Sequence, residues 1–489
     1  MKFPTAFTII LLLAAIVALL TRILPAGNFQ KLSYDADRNV FTMADTVLPA
    51  SQKTLDSLGV KIALSKFTNG DIWKPIALPG TFKKTAAQPQ GLVALFQAPL
   101  KGIVESIDII LFVLMLGGTI GIVHYSGAFN AGIATLSTLF RGKEYWMIFI
   151  VLFLIALGGT TFGLAEETIA FYPILVPMFL AAGYDAMVAI ACVYIGSSLG
   201  TMFSTTNPFS AIIGSNAAGI NWTEGLLSRI AFLVIGLGIC YWYILRYAQK
   251  VKKDPSKSLI ANQKAELESK YQSNEETKAL NGSQKVALLI FSACFVLMIY
   301  GVSKLEWWFL EMTTVFFIGS ILIGIVSRIK EKDFVDQFVN GASELLSVAL
   351  IIGIARGVTI LMDEGQISDT LLYYCSNLIN GMPKMLFINI LYVLYMGLSL
   401  FVPSSSGMAV LTMPIFAPLA DVIEIGRHEI VNAYQYGQGL IAFINPSGLI
   451  LATLTMVNVG FNKWLKFVMP LVGILFILGM IALSIGVSL

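Results

Sequence analysis

Long apolar runs restrict this chain to folds that cross a lipid bilayer several times. Runs such as Ile107–His124, Ile230–Leu245 and Met469–Leu489 approach or exceed the about 18 residues that cross about 30 Å of hydrocarbon. Only 12% of the 489 residues are charged, whereas a soluble domain of ordinary composition carries about 25%. We therefore predict an all-α protein with multiple transmembrane helices.

Hydropathy predicts nine transmembrane helices and two re-entrant hairpins. The first helix occupies residues 1–27, and the others cover 104–126, 185–216, 223–246, 286–304, 306–326, 343–362, 430–458 and 464–486. The hairpins are predicted at 145–181 and 384–420, because small polar residues interrupt each apolar stretch near its middle. A cleaved signal peptide is the alternative for the first run, but no clear small-residue cleavage site follows it.

The distribution of basic residues orients the predicted helices. Residues 247–285 form a linker that includes Lys250, Lys252 and Lys253, and short basic segments beside spans remain in the cytoplasm. A cytoplasmic N-terminus places this linker on the cytoplasmic side. Residues 28–97 then form an extracytoplasmic segment, in which we identify no site chemistry.

Residues that recur at an offset of about 240 positions predict two inverted repeats, at 98–246 and 335–489, with connecting helices at 286–330. The recurring residues are Gly102, Glu105 and Gly118 with Gly341, Glu344 and Gly357, Pro173 and Pro177 with Pro414 and Pro418, and Asn207-Pro208 with Asn445-Pro446. An odd number of predicted spans separates the copies, so they lie upside down relative to each other. Inverted repeats are typical of many secondary transporters.

Four polar interruptions, two in each repeat, form the predicted solute site. Unwound helix is tolerated at membrane depth only inside protein or beside water. The hairpin tips supply Thr160, Thr161, Gly163, Glu166 and Glu167 in the first repeat and Ser404, Ser405 and Ser406 in the second. The broken helices at 185–216 and 430–458 supply Ser204, Thr205, Thr206 and Asn207, and Gln438, Asn445 and Ser447.

These residue types offer hydroxyls, amides and freed carbonyls. Pro208 and Pro446 each remove a backbone donor and disturb the preceding turn, which opens the helix. Such groups suit a substrate carboxylate, or Na⁺ as a coupling ion; the expected Na⁺ ligands are Ser204, Asn207, Ser405 and Asn445. The alternative is that small residues only allow helices to pack closely.

Adjacent glutamates are the sharpest single signal. A carboxylate at membrane depth is costly, so Glu166 and Glu167 are expected to bind a cationic substrate group, coordinate a coupling cation or carry a proton. Helical spacing separates them by about 100°, so we expect one of the two to face the cavity. Glu105, Asp108 and Glu344 lie at the ends of predicted spans and are interpreted as interfacial.

Arg356 is the other charge predicted at membrane depth. It has no counterpart in the first repeat, where Gly117 occupies the equivalent position. We expect it to pair with Glu166 or Glu167, to bind a substrate carboxylate, or to form a structural ion pair with Asp363 or Glu364.

Several of these motifs resemble one known family. They are Gly158–Phe171, Thr206–Phe209, Ser404–Gly407, Tyr436–Gly439 and Asn445–Ser447. Together they resemble the YfcC branch of the DcuC-type anaerobic carrier family, in the ion transporter superfamily, over nearly the whole chain. The resemblance implies a scaffold domain and a transport domain, a homodimer in the bacterial inner membrane, and elevator-type movement.

The resemblance also bears on the substrate. That family includes C4-dicarboxylate carriers and putative basic amino acid antiporters, such as arginine/ornithine exchangers, and the paired glutamates fit a cationic substrate better. At Gln438 relatives can carry Asp, so this chain lacks a carboxylate there. We expect a secondary active transporter of small, basic amino acids, either an antiporter or a symporter coupled to Na⁺ or H⁺.

Other functions are less consistent with the sequence. A Na⁺- or H⁺-coupled C4-dicarboxylate carrier, with Arg356 binding a carboxylate, is the main alternative. A channel is expected to show a continuous polar stripe, whereas the polar residues here concentrate at four breaks. We find no phosphate loop, metal-ligand cluster or nucleophile with a plausible base, so we expect no enzymatic activity, no cofactor beyond a coupling ion, and no nucleic-acid partner.

Overall fold

Apolar helices dominate the computed structural model, which describes residues 4–44, 46–70, 72, 74–129, 131–132, 135, 142–263, 280–305 and 307–488. Within these ranges, ten helices are long and apolar enough to cross a membrane. They fall in seven of the nine predicted spans and in both predicted hairpins. Residues 264–279 of the predicted 247–285 linker lie outside the described residues.

A small β-rich cap follows the first helix, α1 (Ala6–Ile23). The cap, residues 24–91, contains strands β1 (Gly27–Asn28), β2 (Lys31–Asp35), β3 (Val40–Met43) and β4 (Thr46–Pro49), helices α2 (Gln52–Ser57) and α3 (Leu64–Thr68), and strands β5 (Ile76–Ala77) and β6 (Lys83–Lys84). The strands form an antiparallel sheet in the order β4-β3-β2-β5 and a separate β1-β6 pair. The all-α prediction is therefore wrong for this segment, because strands of two to five residues are too short to show an alternating pattern.

The cap docks on helices from the second half of the chain. Its fully buried core includes Phe41, which makes an edge-on ring contact with Phe67. On one side, the Lys61 ammonium lies 2.9 Å from a carboxylate oxygen of Asp421. On the other side, the Phe29 amide donates to Asp369 at 2.9 Å. The cap is therefore anchored to two separate parts of the helical body.

The first half of the body contains the first hairpin and the first broken helix. Its elements are α4 (Leu92–Glu105), α5 (Ile107–Tyr125), α6 (Glu144–Thr161), a 3₁₀ turn (Glu166–Phe171), α7 (Tyr172–Ala181), α8 (Ala186–Met202), a π turn (Pro208–Ile212), α9 (Ile213–Ala217) and α10 (Leu226–Lys253). Helix α8 includes a π-helical turn at Ala191–Ile195, a distortion that occurs frequently at functional sites.

The second half contains the second hairpin and the second broken helix. Its elements are α11 (Gly282–Lys304), α12 (Phe309–Val326), α13 (Glu331–Glu344), α14 (Leu346–Glu364), α15 (Ser368–Ile379), α16 (Lys384–Phe401), α17 (Ser405–Val422), α18 (Arg427–Ala442), α19 (Ile450–Met456) and α20 (Phe461–Ser488). Three hairpin helices, α6, α16 and α17, have 18 residues each. Their length permits a full crossing where the sequence predicts half-crossings.

Closely packed glycines join α4 to α14 and α13 to α5. A Cβ atom on Gly102 would lie 2.7 Å from the Gly357 nitrogen, and a Cβ on Gly117 would lie 2.7 Å from the Gly341 oxygen. Neither distance is compatible with a side chain, so only glycine allows the backbones to approach this closely. The recurring Gly102 and Gly357 therefore meet at the crossing of α4 with α14, and the recurring Gly118 and Gly341 both lie at the crossing of α5 with α13.

Candidate functional site

The four non-helical stretches meet at a cavity of about 460 Å³. They are the two hairpin tips, residues 162–165 and 402–404, and the breaks after α8 and α18. The predicted site residues that line the cavity are Gly163, Glu166, Glu167, Asn207, Arg356, Ser404, Ser405, Ser406, Gln438, Asn445 and Ser447. A volume of this size lies within the range of small-molecule sites.

The first hairpin tip presents two carboxylates to the cavity. Gly163 has φ of +81°, a conformation that favours glycine, and a Cβ there would lie 2.7 Å from Asn207 Oδ1. The Glu167 carboxylate accepts a hydrogen bond from the Ala165 amide at 3.0 Å. Glu166 is half-buried and has no ion pair with any described residue. The expectation that one glutamate faces the cavity is wrong, because both line it from a 3₁₀ turn.

The second hairpin tip uses its three serines in different ways. Ser404 caps α17, since its hydroxyl accepts a hydrogen bond from the Gly407 amide at 3.2 Å. The Ser405 carbonyl accepts one from the Tyr434 hydroxyl at 2.7 Å. The Ser406 hydroxyl accepts one from the ammonium of Lys74, a residue of the cap, at 2.8 Å. The tip is thereby held from two sides.

The two Asn-Pro motifs make equivalent hydrogen bonds in their own halves. Asn207 donates to the Gly159 carbonyl at 3.2 Å and accepts from the Phe209 amide at 2.9 Å. Asn445 donates to the Ser399 carbonyl at 2.7 Å and accepts from the Ser447 amide at 3.0 Å. Each asparagine therefore ties a broken helix to the first arm of its hairpin. Their amides are largely occupied by backbone, which points to a positioning role.

Five predicted site residues lie outside the cavity lining: Thr160, Thr161, Ser204, Thr205 and Thr206. Their hydroxyls are used by nearby backbone. Thr160 donates to the Phe203 carbonyl at 2.9 Å, Thr206 to the Thr161 carbonyl at 3.1 Å, and Ser204 to the Thr201 carbonyl at 2.9 Å. The bonds of Thr160 and Thr206 join the first hairpin to the first break.

The predicted Na⁺ ligands are only partly brought together. Asn207, Ser405 and Asn445 line the cavity, whereas Ser204 is fully buried outside it and also accepts a hydrogen bond from the Ser210 hydroxyl. Among the residues that the structure describes, no group of three or more His, Cys, Asp and Glu could hold a metal ion. Three of the four predicted Na⁺ ligands therefore line the cavity, and the Na⁺ site itself stays a prediction.

Gln438 faces the cavity and also holds the second hairpin tip. Its amide donates to the Pro403 carbonyl at 3.1 Å. An aspartate at this position would accept hydrogen bonds only and could not make this contact. Gln438, where relatives can carry Asp, therefore makes a contact between α18 and the second hairpin that Asp could not make.

Arg356 pairs with a residue that the sequence places at the interface. Its guanidinium lies 2.6 Å from a carboxylate oxygen of Glu105. The predicted pairing with Glu166 or Glu167 is therefore wrong, and Glu364 pairs instead with Lys101 at 2.5 Å. Glu105 and Asp108 also line the cavity, at the junction of α4 and α5.

Lys74 is the main site residue that the sequence does not reveal. It lies in the cap, where no site chemistry is predicted, yet its side chain lines the cavity. Burial and, to a lesser extent, the Arg356 charge lower the pKa of Lys74 from 10.5 to about 8, while Glu105 opposes the shift. Ser197, Ser198 and Thr201 of α8 also line the cavity; Ser197 and Ser198 belong to the polar run near the first break.

Acidic side chains outnumber basic ones around the cavity. The lining includes four carboxylates, from Glu105, Asp108, Glu166 and Glu167, and two cations, Lys74 and Arg356. The Arg356–Glu105 pair neutralises one charge of each sign. The formal balance therefore favours a solute that carries positive charge, with one region that can accept a negative group.

Known proteins match this chain over its full length. The model of the C4-dicarboxylate anaerobic carrier family, DcuC, matches residues 3–488. An uncharacterised protein of Haemophilus influenzae is 44% identical, over 100% of this chain and 97% of that protein. The putative basic amino acid antiporter YfcC of Escherichia coli is 30% identical, over 97% of this chain and 94% of that protein.

Two solved transporter structures cover the same length at low identity. The YdaH transporter of Alcanivorax borkumensis is 13% identical with a TM-score of 0.41, over 99% of this chain and 98% of that one. MtrF of Neisseria gonorrhoeae, described with a class of antimetabolite efflux pumps, is 16% identical with a TM-score of 0.42, over 100% and 96%.

Proposed function

The chain belongs to the C4-dicarboxylate anaerobic carrier family, and we propose that this multi-pass membrane transporter carries small basic amino acids, such as arginine and ornithine. Transport is secondary active, by exchange or by coupling to Na⁺ or H⁺. The cavity between the hairpin tips is the proposed solute site, with Glu166 and Glu167 as the residues that bind the cationic side chain.

The acidic lining of the cavity is the observation that carries this proposal. With the Arg356–Glu105 pair set aside, the lining keeps three carboxylates, from Asp108, Glu166 and Glu167, and one cation, Lys74, so at least one negative charge of a dicarboxylate would lie beside carboxylates. Each like-charge contact at about 4 Å costs on the order of 4 kcal/mol at an effective dielectric constant of about 20. A guanidinium or ammonium group gains a similar attraction instead. The similarity to YfcC, a putative basic amino acid antiporter, supports the same substrate class.

Alternating access in this proposal is of the elevator type. The hairpins and broken helices form the transport domain, and α4, α5, α13 and α14 form the scaffold of a homodimer. The similar crossings of α4 with α14 and α13 with α5 support two inverted repeats, because recurring glycines lie at both. Exchange of conformations between the repeats then opens the cavity to opposite sides.

The proposed location is the bacterial inner membrane, with the N-terminus in the cytoplasm. Lys250, Lys252 and Lys253 at the end of α10 support this orientation, because basic residues beside spans remain in the cytoplasm. The cap and the N-terminal end of α10 then lie toward the extracytoplasmic side. Fusion of a reporter enzyme after α10 tests the orientation directly.

A thermal-shift screen of the purified protein tests the substrate class. Arginine, ornithine, lysine, succinate and fumarate are each added with and without Na⁺. A ligand at about 100 times its Kd stabilises the folded state by about 2.7 kcal/mol. We expect the basic amino acids to raise the melting temperature. A response to succinate or fumarate alone would contradict the proposal, and a Na⁺-dependent response would favour Na⁺ as the coupling ion.

A further inference from the structure

Lys74 is placed in the cavity by the docking of the cap on the second hairpin. It lies two residues before β5, whose residues Ile76 and Ala77 are almost fully buried. β5 pairs with β2 and packs against α17. The Lys74 ammonium then donates to the Ser406 hydroxyl at 2.8 Å, in the first turn of α17. The position of this side chain is therefore fixed by a folded element.

The surroundings of Lys74 suit an anionic group. The ammonium lies close enough to Arg356 for the two positive charges to disfavour each other, and burial adds to that cost, so the pKa of Lys74 falls to about 8. Glu105, which offsets part of this repulsion, is itself paired with Arg356. A carboxylate placed beside Lys74 and Arg356 would be attracted by both cations and would favour the charged form of the lysine.

We propose that Lys74 binds the carboxylate of the transported solute, so that the cap contributes directly to substrate specificity. This inference rests on the proposed function, in which the solute is an amino acid. Its carboxylate is bound beside the second hairpin by Lys74 of the cap and Arg356 of α14, and its cationic side chain is bound at the first hairpin tip by Glu166 and Glu167. A basic amino acid carries both the carboxylate and the cationic group. An amine without a carboxylate can bind only at the first hairpin tip.

The competing explanation is that Lys74 only anchors the cap to the second hairpin. A ligand pair separates the two roles, because agmatine is arginine without its carboxylate. If Lys74 binds the carboxylate, its loss weakens arginine and spares agmatine. If Lys74 is an anchor, its loss affects both ligands equally or neither.

The experiment measures Kd for arginine, agmatine and succinate by titration calorimetry on the purified full-length protein. A hydrogen bond to a charged group contributes about 1.5–3 kcal/mol, so Lys74→Gln should weaken arginine roughly 10- to 100-fold and leave agmatine unchanged. Lys74→Arg should restore most of the arginine affinity. Lys61→Gln is the matched control, because it removes a cap lysine that pairs with Asp421 and does not line the cavity.

Specific outcomes overturn the inference. Equal weakening of arginine and agmatine in Lys74→Gln, or no weakening of either, would show that Lys74 does not bind the carboxylate. If Lys74→Gln does not fold, Lys74→Met replaces it, since it keeps an unbranched side chain of similar length. If the wild type binds succinate and not arginine, the proposed function fails. The role of Lys74 is then tested separately, because Lys74→Gln should still weaken the binding of succinate. Binding of none of the three ligands would overturn both.

Discussion

Replacing Glu166 by glutamine should separate arginine from its neutral analogue citrulline. Glu166 is half-buried at the first hairpin tip, lines the cavity, and has no ion pair with any described residue. A guanidinium bound there would lie beside a carboxylate that has no other ion-pair partner among the described residues. Citrulline has the same length and shape as arginine but carries a urea group without charge, so it gains little from that carboxylate.

The expected magnitude follows from the loss of one charge-assisted contact. Such a contact contributes about 1.5–3 kcal/mol, which corresponds to a roughly 10- to 100-fold weaker Kd for arginine. The Kd for citrulline should change by less than about threefold. Glutamine has nearly the same volume as glutamate, so the shape of the hairpin tip is retained.

Titration calorimetry measures Kd for arginine and citrulline with the wild type, Glu166→Gln and Glu167→Gln. The ratio of each variant's Kd to that of the wild type is then compared between the two ligands. Glu167→Gln is a comparison and not a control, because Glu167 also belongs to the proposed site; its carboxylate is partly engaged by the Ala165 amide at 3.0 Å, a hydrogen bond that a glutamine oxygen can still accept. We expect a smaller loss of arginine affinity in this variant than in Glu166→Gln. An equal change of the arginine and citrulline affinities in Glu166→Gln would refute the direct contact between the carboxylate and the guanidinium.

Three further predictions concern the supports of the site. Asn207→Ala removes two side-chain hydrogen bonds to the hairpin and break, and Asn445→Ala removes three. Each substitution should lower the melting temperature without ligand, and an unchanged value would contradict a positioning role. Gly102→Ala should lower it more than Gly238→Ala in a calorimetric scan, because a Cβ at Gly238 meets nothing within 4 Å. Arginine affinity should fall as pH rises from about 7 to 9, since Lys74 with a pKa of about 8 loses its charge. In Lys74→Arg, the arginine affinity should fall less over the same pH range, because arginine stays charged. If the pH dependence of this variant equals that of the wild type, the prediction is contradicted.

Much of the helical body is predictable because apolar length is a direct consequence of the bilayer. A helix such as α20 must present about 20 apolar residues to hydrocarbon, and hydropathy records that requirement. The breaks near Pro208 and Pro446 are predictable for a related reason, since a proline beside small polar residues cannot continue an apolar helix. The cap was predicted less well, because its short strands leave no periodic pattern.

The site was only partly predictable, because sequence shows residue types and not their partners. Ser406 and Ser204 are equally plausible ligands in sequence, yet Ser406 lines the cavity and the Ser204 hydroxyl bonds a carbonyl one turn away. Arg356 pairs with Glu105, which lies 251 positions earlier in the sequence. Lys74 reaches the cavity only because β5 docks on α17, and a single lysine in a polar segment gives no signal of that contact.

Transport of arginine across a sealed membrane tests the central claim most directly. The purified protein is reconstituted in liposomes that are loaded with ornithine, or left unloaded with an imposed gradient of Na⁺ or H⁺, and radiolabelled arginine is added outside. We expect labelled arginine to accumulate under at least one of these conditions, and unlabelled lysine to compete with it. Absence of arginine uptake under every condition, together with uptake of labelled succinate by the same liposomes, would contradict a cavity built for basic amino acids.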